Sequence, residues 1–140
     1  MSTNTPDAGV TVVRLYADAI SRGDLDAALE VCHPAIEFSS MLAQLEGATY
    51  RGHAGVSRYF ADVASAWEEW RVEIEDVLPA PDGRVVIVLR MHVRGRGGGV
   101  MLEQEVAHIW ELEDGKLRRS TMYRDPDEAL QAAGLGISRS

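Results

Sequence analysis

The segment Trp70-Arg-Val-Glu-Ile-Glu75 alternates large apolar side chains with charged ones. A two-residue period of this kind fits one regular structure, a strand with one buried face. Three further extended segments follow it. Pro79-Ala-Pro-Asp-Gly83 reads as a turn. Residues 84–94 and 100–112 read as two long strands around the glycine-rich connection Gly95-Arg-Gly-Gly-Gly99. Asp114-Gly115 is a two-residue hairpin signal, and residues 116–124 form the returning strand. Consecutive strands joined by tight reversals predict a curved antiparallel sheet.

The first half follows a different period. Val12, Val13, Tyr16, Ala19 and Ile20 fall on one helical stripe from Val10 onward, and Gly23 supplies a left-handed stop. Asp24 is an N-cap for a second, short helix that carries Leu25, Ala28, Leu29 and Cys32 inward and ends at Pro34. Cys32 is therefore expected as a buried core thiol. Residues 35–40 read as a short strand. Residues 41–52 show no period and are expected to cross the surface or the pocket mouth. A third helix over residues 53–67 carries Val56, Tyr59, Phe60, Val63, Ala64 and Trp67 on one stripe. Asp125-Pro-Asp127 opens a last short helix that Gly134 closes. Helices grouped ahead of antiparallel strands define an α+β chain. The expected division is a disordered arm over 1–8, one domain over 9–136 and a tail over 137–140.

The chain has 140 residues, enough for one core. Its formal net charge of −8 argues against nucleic acid or an anionic membrane as partner, because both demand a basic footprint. The first residues lack the basic and apolar regions of a secretory signal, and no apolar run is long enough to span a bilayer. The expectation is a cytoplasmic protein with no membrane and no nucleic-acid partner. A single cysteine precludes an intramolecular disulfide.

If the two long strands pair about Gly97 or Gly98, Arg90 lies opposite Glu105 and His92 opposite Glu103, all on one face where opposite charges pair. The other face then carries Leu89, Met91 and Val93 against Leu102, Gln104, Val106, His108 and Trp110. Unbroken alternation around Asp114-Gly115 sets His108 opposite Thr121 and Val106 opposite Tyr123. The inner face is then apolar apart from Gln104, His108, Thr121 and the Tyr123 hydroxyl. Alternation would also turn Arg119 and Asp125 inward, although both lie near strand ends. A slip of one residue would invert this assignment.

Several stretches resemble the nuclear-transport-factor-2-like superfamily and, within it, the SnoaL-like group of polyketide cyclase relatives. They are Tyr16-Ala-Asp-Ala-Ile-Ser-Arg-Gly-Asp-Leu-Asp26, His33-Pro-Ala-Ile-Glu-Phe38 and Tyr50-Arg-Gly-His-Ala-Gly55, followed by Ala107-His-Ile-Trp-Glu-Leu-Glu-Asp-Gly-Lys116, Tyr123-Arg-Asp-Pro126 and Ala129-Leu with Ala133-Gly-Leu135. The resemblance covers roughly residues 8–136. It implies a cone-shaped fold, cystatin-like in outline, with a pocket between sheet and helices, commonly in a homodimer. Here the outer sheet face is the expected dimer surface. The group includes cyclases, isomerases, dehydratases, epoxide hydrolases and noncatalytic binders, so shared fold alone does not assign an activity.

Against the ketosteroid isomerases of that superfamily, Tyr16 matches the oxyanion tyrosine and His108 falls at or near the second donor, but Phe38 stands where the carboxylate base belongs. Glu37 lies on the opposite side of that strand. The Asp-Arg-Asp set of the related epoxide hydrolases is not matched, since Arg119 and Asp125 alone do not make it. A SnoaL-type aldol closure needs less: one acid/base group and donors for an enolate oxygen. An unperturbed histidine, with a pKa of about 6.5, suits the first role. Tyr16, Gln104 and Tyr123 suit the second. The expected catalytic residues are accordingly His108 and Tyr16. The expected ligand-binding residues are Gln104, Thr121, Tyr123, Phe38, Met91, Trp110, Tyr59 and Trp67. An alternative stays open, in which His108 is structural and the chain is a noncatalytic ligand-binding or dimerisation module. No histidines share metal-ligand spacing with carboxylates, so neither metal nor cofactor is expected. The glycine-rich connection joins two strands and precedes no helix, which favours a flexible hairpin over an anion site.

Overall fold

The computed structural model describes residues 6–39, 49–95, 97, 99 and 101–135. Helix α1 spans Pro6–Arg22 and α2 spans Leu25–Val31. Strand β1 (Cys32–Phe38) follows directly, then β2 (Tyr50–Arg51) and helix α3 (Gly52–Ala66). The long strands are β3 (Trp67–Pro79), β4 (Val85–Gly95), β5 (Met101–Glu113) and β6 (Lys116–Tyr123), and α4 (Pro126–Ala132) closes the described chain. Helix α1 begins at Pro6, earlier than the apolar stripe signals, because the fixed φ of proline suits a first helical residue. Most of the segment expected at a pocket mouth, residues 41–48, lies outside the described residues, as do residues 1–5 and 136–140.

The helix boundaries follow from local chemistry. Gly23 sits at φ +69° and donates to the Ile20 carbonyl, while Asp24 N–H reaches the Ala19 carbonyl at 2.9 Å. The Asp24 carboxylate then caps α2 by accepting from Ala27 N–H at 3.1 Å. Strand β1 starts three residues before the expected position, so Pro34 lies inside it. Its ladder with β6 is interrupted between Cys32 and Glu37, where proline offers no donor.

The strands form one sheet in the order β2-β1-β6-β5-β4-β3. All neighbours are antiparallel except β1 and β6, which run parallel, so the expected wholly antiparallel sheet acquires one crossover pair. The β4–β5 ladder has the expected register, with Arg90 opposite Glu105 and His92 opposite Glu103. The Asp114-Gly115 hairpin forms with φ of 55° and 74°, as a primed two-residue turn requires. Past it, however, the β5–β6 ladder shifts between Glu111 and Leu112. This bulge moves His108 opposite Met122 and Ile109 opposite Thr121. It corrects the uninterrupted alternation: Thr121, Tyr123 and Arg119 face away from the inner side.

Two cores result. The main one lies between the inner sheet face and α1–α3, where Val13, Tyr16, Ile36, Val56, Ile87 and Leu117 are buried. The second lies on the outer face, where Ala129 and Leu130 of α4 seal Val86, Val88, Ala107 and Ile109. The rest of the outer face is charged. Arg90 Nε meets Glu75 at 2.9 Å, Arg94 meets Glu69 at 3.4 Å, and His92 lies between Glu73 and Glu103.

Helix α3 enters the core through a close backbone approach. A Cβ on Gly55 would lie 3.0 Å from the Tyr50 carbonyl carbon and 3.4 Å from its Cα, and backbone atoms cannot swing aside as a flexible side chain would. Gly55→Val is expected to lower stability by about 1–3 kcal/mol through overpacking. Urea unfolding midpoints of the variant and the parent measure this directly.

Candidate functional site

The inner sheet face and α1 do not close completely. A cavity of about 50 Å³ remains between them. Tyr16 and Ile20 of α1 form its roof, with Tyr59 of α3 at one side. Trp70 and Val72 of β3, Leu89 and Met91 of β4, and His108 and Trp110 of β5 are among the residues that complete the wall. The strand residues arrive there because alternation turns every second side chain inward. Tyr16 arrives because it lies on the same helical face as the buried Val13 and Ala19.

Aromatic edges hold the wall in place. The Tyr16 and Trp110 rings meet edge-to-face at 5.3 Å, and His108 lies nearly parallel to Trp110 at 6.4 Å. Tyr59 meets Trp70 edge-to-face at 6.5 Å. Within this apolar lining, three sealed polar atoms have no hydrogen-bond partner: the Tyr16 hydroxyl, the Trp70 indole N–H and His108 Nδ1. A buried polar atom without a partner costs about 1–3 kcal/mol, so three around one cavity call for an explanation.

The electrostatics are those of a dry site. Burial raises the Tyr16 phenol well above its usual range, with Tyr59 and Cys32 adding to the rise. Burial lowers His108 to about 4. The His108 ring keeps some accessible surface on the cavity side, but its Nδ1 has none. At neutral pH both groups are uncharged. This departs from the expectation of a histidine poised near 6.5, because burial disfavours the charged ring and, among the described residues, no acidic side chain borders the cavity to hold a proton on it. The lining therefore offers neutral hydrogen-bonding groups in a low-dielectric wall. Among the described residues the lining carries no acidic side chain.

Five of the anticipated residues meet at this cavity: Tyr16, His108, Met91, Trp110 and Tyr59. Phe38 packs behind the wall, stacked on Tyr50 at 5.2 Å and 6.5 Å from Trp110. Gln104 pairs with Met91 on the inner side, but nearer the hairpin and beyond the cavity. Trp67 ends α3 and does not border the cavity. Thr121 is exposed opposite Ile109, and Tyr123 packs with the α4 core, both on the outer face. Trp70, expected as core or pocket wall, and Ile20 also line the cavity, although neither was among the expected ligand-binding residues. The signal for Trp70 was its place in the alternating strand, in phase with Val72 and Ile74.

One cluster elsewhere has the composition of a metal site. His33, Glu113 and Asp114 bring possible ligand atoms within 4.8 Å of one another. Ala35 N–H donates to His33 Nδ1 at 2.9 Å, which leaves the ring proton on Nε2, the atom facing Glu113 at 3.5 Å. An N–H turned toward the carboxylates favours a hydrogen bond over a metal there.

Comparison with known proteins fits this geometry. A family model described as a SnoaL-like domain matches residues 12–120. The uncharacterized protein Rv0034 of Mycobacterium tuberculosis strain H37Rv is 32% identical over 124 residues, covering 87% of this chain and 93% of that protein. An NTF2-like protein of unknown function from Burkholderia pseudomallei superposes with a TM-score of 0.73 at 21% identity, covering 94% of this chain and 97% of that one. Rv0760c from Mycobacterium tuberculosis, crystallised in complex with estradiol-17beta-hemisuccinate, has a TM-score of 0.71 at 14% identity, covering 86% and 95%. At these identities the structural likenesses speak for the fold alone.

The lowered His108 pKa has a consequence for stability. In the unfolded chain the imidazole takes up a proton near 6.5; in the folded chain it does so near 4. The unfolded state therefore binds more protons between these values, and stability falls as pH drops through that window. Replacing the group by His108→Gln is expected to remove up to about 3 kcal/mol of the loss between pH 7 and pH 4. Urea titrations of both proteins across that range measure the difference.

Proposed function

Because the chain belongs to the SnoaL-like family of the NTF2-like superfamily, we propose that it binds a small, largely apolar molecule through a carbonyl or comparable oxygen, which takes its hydrogen bonds from Tyr16 and His108. The observation that carries this reading is that Tyr16, Trp70 and His108 all line one apolar cavity and each carries a buried polar atom with no hydrogen-bond partner. A ligand oxygen would accept from the Tyr16 hydroxyl and from His108 in its Nδ1–H tautomer, satisfying atoms that the fold leaves without partners. The estradiol ester held by Rv0760c supports a hydrophobic small molecule as the class of ligand.

Neutral donors in a dry site stabilise charge that develops on an oxygen, the electrostatic half of an enolisation or aldol reaction. The other half is removal of a proton from carbon. His108 is the titratable group at hand for it, and as a base whose conjugate acid has a pKa of about 4 it is weak. The arrangement thus favours binding and polarisation over unaided proton abstraction. An acid/base cyclase or isomerase activity would require a substrate already acidic at carbon.

Two substitutions test the reading. Tyr16→Phe keeps the ring and its packing on Trp110 while removing the hydroxyl. It is expected to weaken binding of a hydrophobic ketone about fivefold, the worth of one hydrogen bond near 1 kcal/mol. His108→Ala is expected to weaken it by at least as much. Ketone affinities that neither substitution changes, measured by calorimetric titration, would rule the assignment out. The charged outer face is also proposed as a homodimer surface. Arg90→Glu, which sets like charges beside Glu75, Glu103 and Glu105, would then shift the mass measured by light scattering toward the monomer.

A further inference from the structure

A second cavity adjoins the first. It measures about 240 Å³ and lies between the C-terminal end of α1 and helix α3. Phe60, Val63 and Ala64 form the α3 side, and Ser21, Arg22 and Gly23 the α1 side. Arg22, Gly23 and Ala64 are exposed, so this chamber opens at the surface. Ile20, Tyr59 and Trp70 border both chambers and form the partition between them.

The two volumes decide what each chamber can hold. An apolar cavity of about 150 Å³ accommodates one benzene ring. The inner chamber, at about 50 Å³, is too small for a ring as it stands, although Tyr16 and His108, whose buried polar atoms lack partners, line it. The outer chamber is large enough for a ring or a folded alkyl chain, and its α3 wall is apolar. The partition contains the third unsatisfied group, the sealed indole N–H of Trp70.

Resting on the ligand-binding reading above, we infer that the ligand is bipartite: a compact oxygen-bearing head enters the inner chamber at Tyr16 and His108, while a larger apolar body stays in the outer chamber between α1 and α3. Ile20, Tyr59 and Trp70 form the collar around the junction. Specificity is thereby divided. The inner chamber selects a small head by size and hydrogen bonding, and the outer chamber selects the body by its apolar volume. A compact aromatic ketone without a slender head fits this division poorly. An apolar chain or ring system ending in a carbonyl fits it well.

A homologous series of methyl ketones from butanone to dodecan-2-one tests the division, with binding followed by NMR on the Trp70 indole N–H signal. Affinity is expected to rise about fourfold per added methylene, the equivalent of about 0.8 kcal/mol, until the outer chamber is full, and then to level off. Ala64→Trp and Ser21→Phe fill the outer chamber from opposite walls. Each is expected to abolish the dependence on chain length while butanone affinity stays unchanged, and thermal unfolding confirms that both variants fold. If butanone binds but affinity is flat along the series, or if both filled variants keep the parental length dependence, the bipartite ligand is overturned and the Tyr16–His108 site stands. If no ketone of the series shifts any signal, the ligand-binding reading fails and the bipartite ligand fails with it.

Discussion

The pairing of β4 with β5 is the constraint on which the other features depend. Side chains alternate across the sheet, so opposing Arg90 to Glu105 and His92 to Glu103 also turns Leu89, Met91 and His108 to the concave side. A displacement of one residue would bury the charges and expose the apolar set. The charged pairs are partly exposed, so each contributes little to stability on its own. Their importance lies in register, because a one-residue displacement separates the opposed charges and exposes apolar surface. Helix α1 packs on the face this register creates, and the cavity is the space that Tyr16, Trp110 and their neighbours leave unfilled.

The chemistry of the cavity follows from burial. In water Tyr16 and His108 would titrate at ordinary values and hydrogen-bond to solvent. Under α1 they lose that solvent and acquire no charged partner in exchange. Burial acts in opposite directions on the two groups, raising the phenol and lowering the imidazole, and both shifts favour the neutral form. The lining is therefore electrostatically quiet, a set of neutral polar groups in a low-dielectric wall. A histidine expected from sequence as a proton carrier is held neutral by burial in its folded setting.

The parts of the molecule legible in its sequence are those governed by local chemistry. Gly23 and Asp24 mark a helix end and a helix start because a left-handed φ and an N-cap carboxylate are local requirements. Asp114-Gly115 marks a hairpin for the same reason. The alternation of Trp70 to Glu75 identifies a strand and its buried side. Features set by tertiary packing escaped, the parallel pairing of β1 with β6 among them. Pro34 was read as a terminator, yet it lies within β1, where an interrupted ladder to β6 tolerates the missing donor. The bulge between Glu111 and Leu112 was also missed, because no residue there signals an inserted position. With it Thr121 and Tyr123 moved out of the site.

By itself the sequence determined the α+β class, the inner and outer faces of the long hairpin, and a tyrosine and a histidine directed at a common apolar space. Periodicity, capping and turn chemistry are properties of neighbouring residues, and those residues are adjacent in the chain. The tertiary structure decided which inward-facing residues surround a void and which pack solidly. It placed Phe38 and Gln104 outside the wall and drew Ile20 and Trp70 into it. It also divided the space under α1 and α3 into a small inner and a larger outer chamber. Such outcomes depend on how side-chain volumes from distant segments fit together, and on a single bulge whose position is set by the packing of the whole sheet.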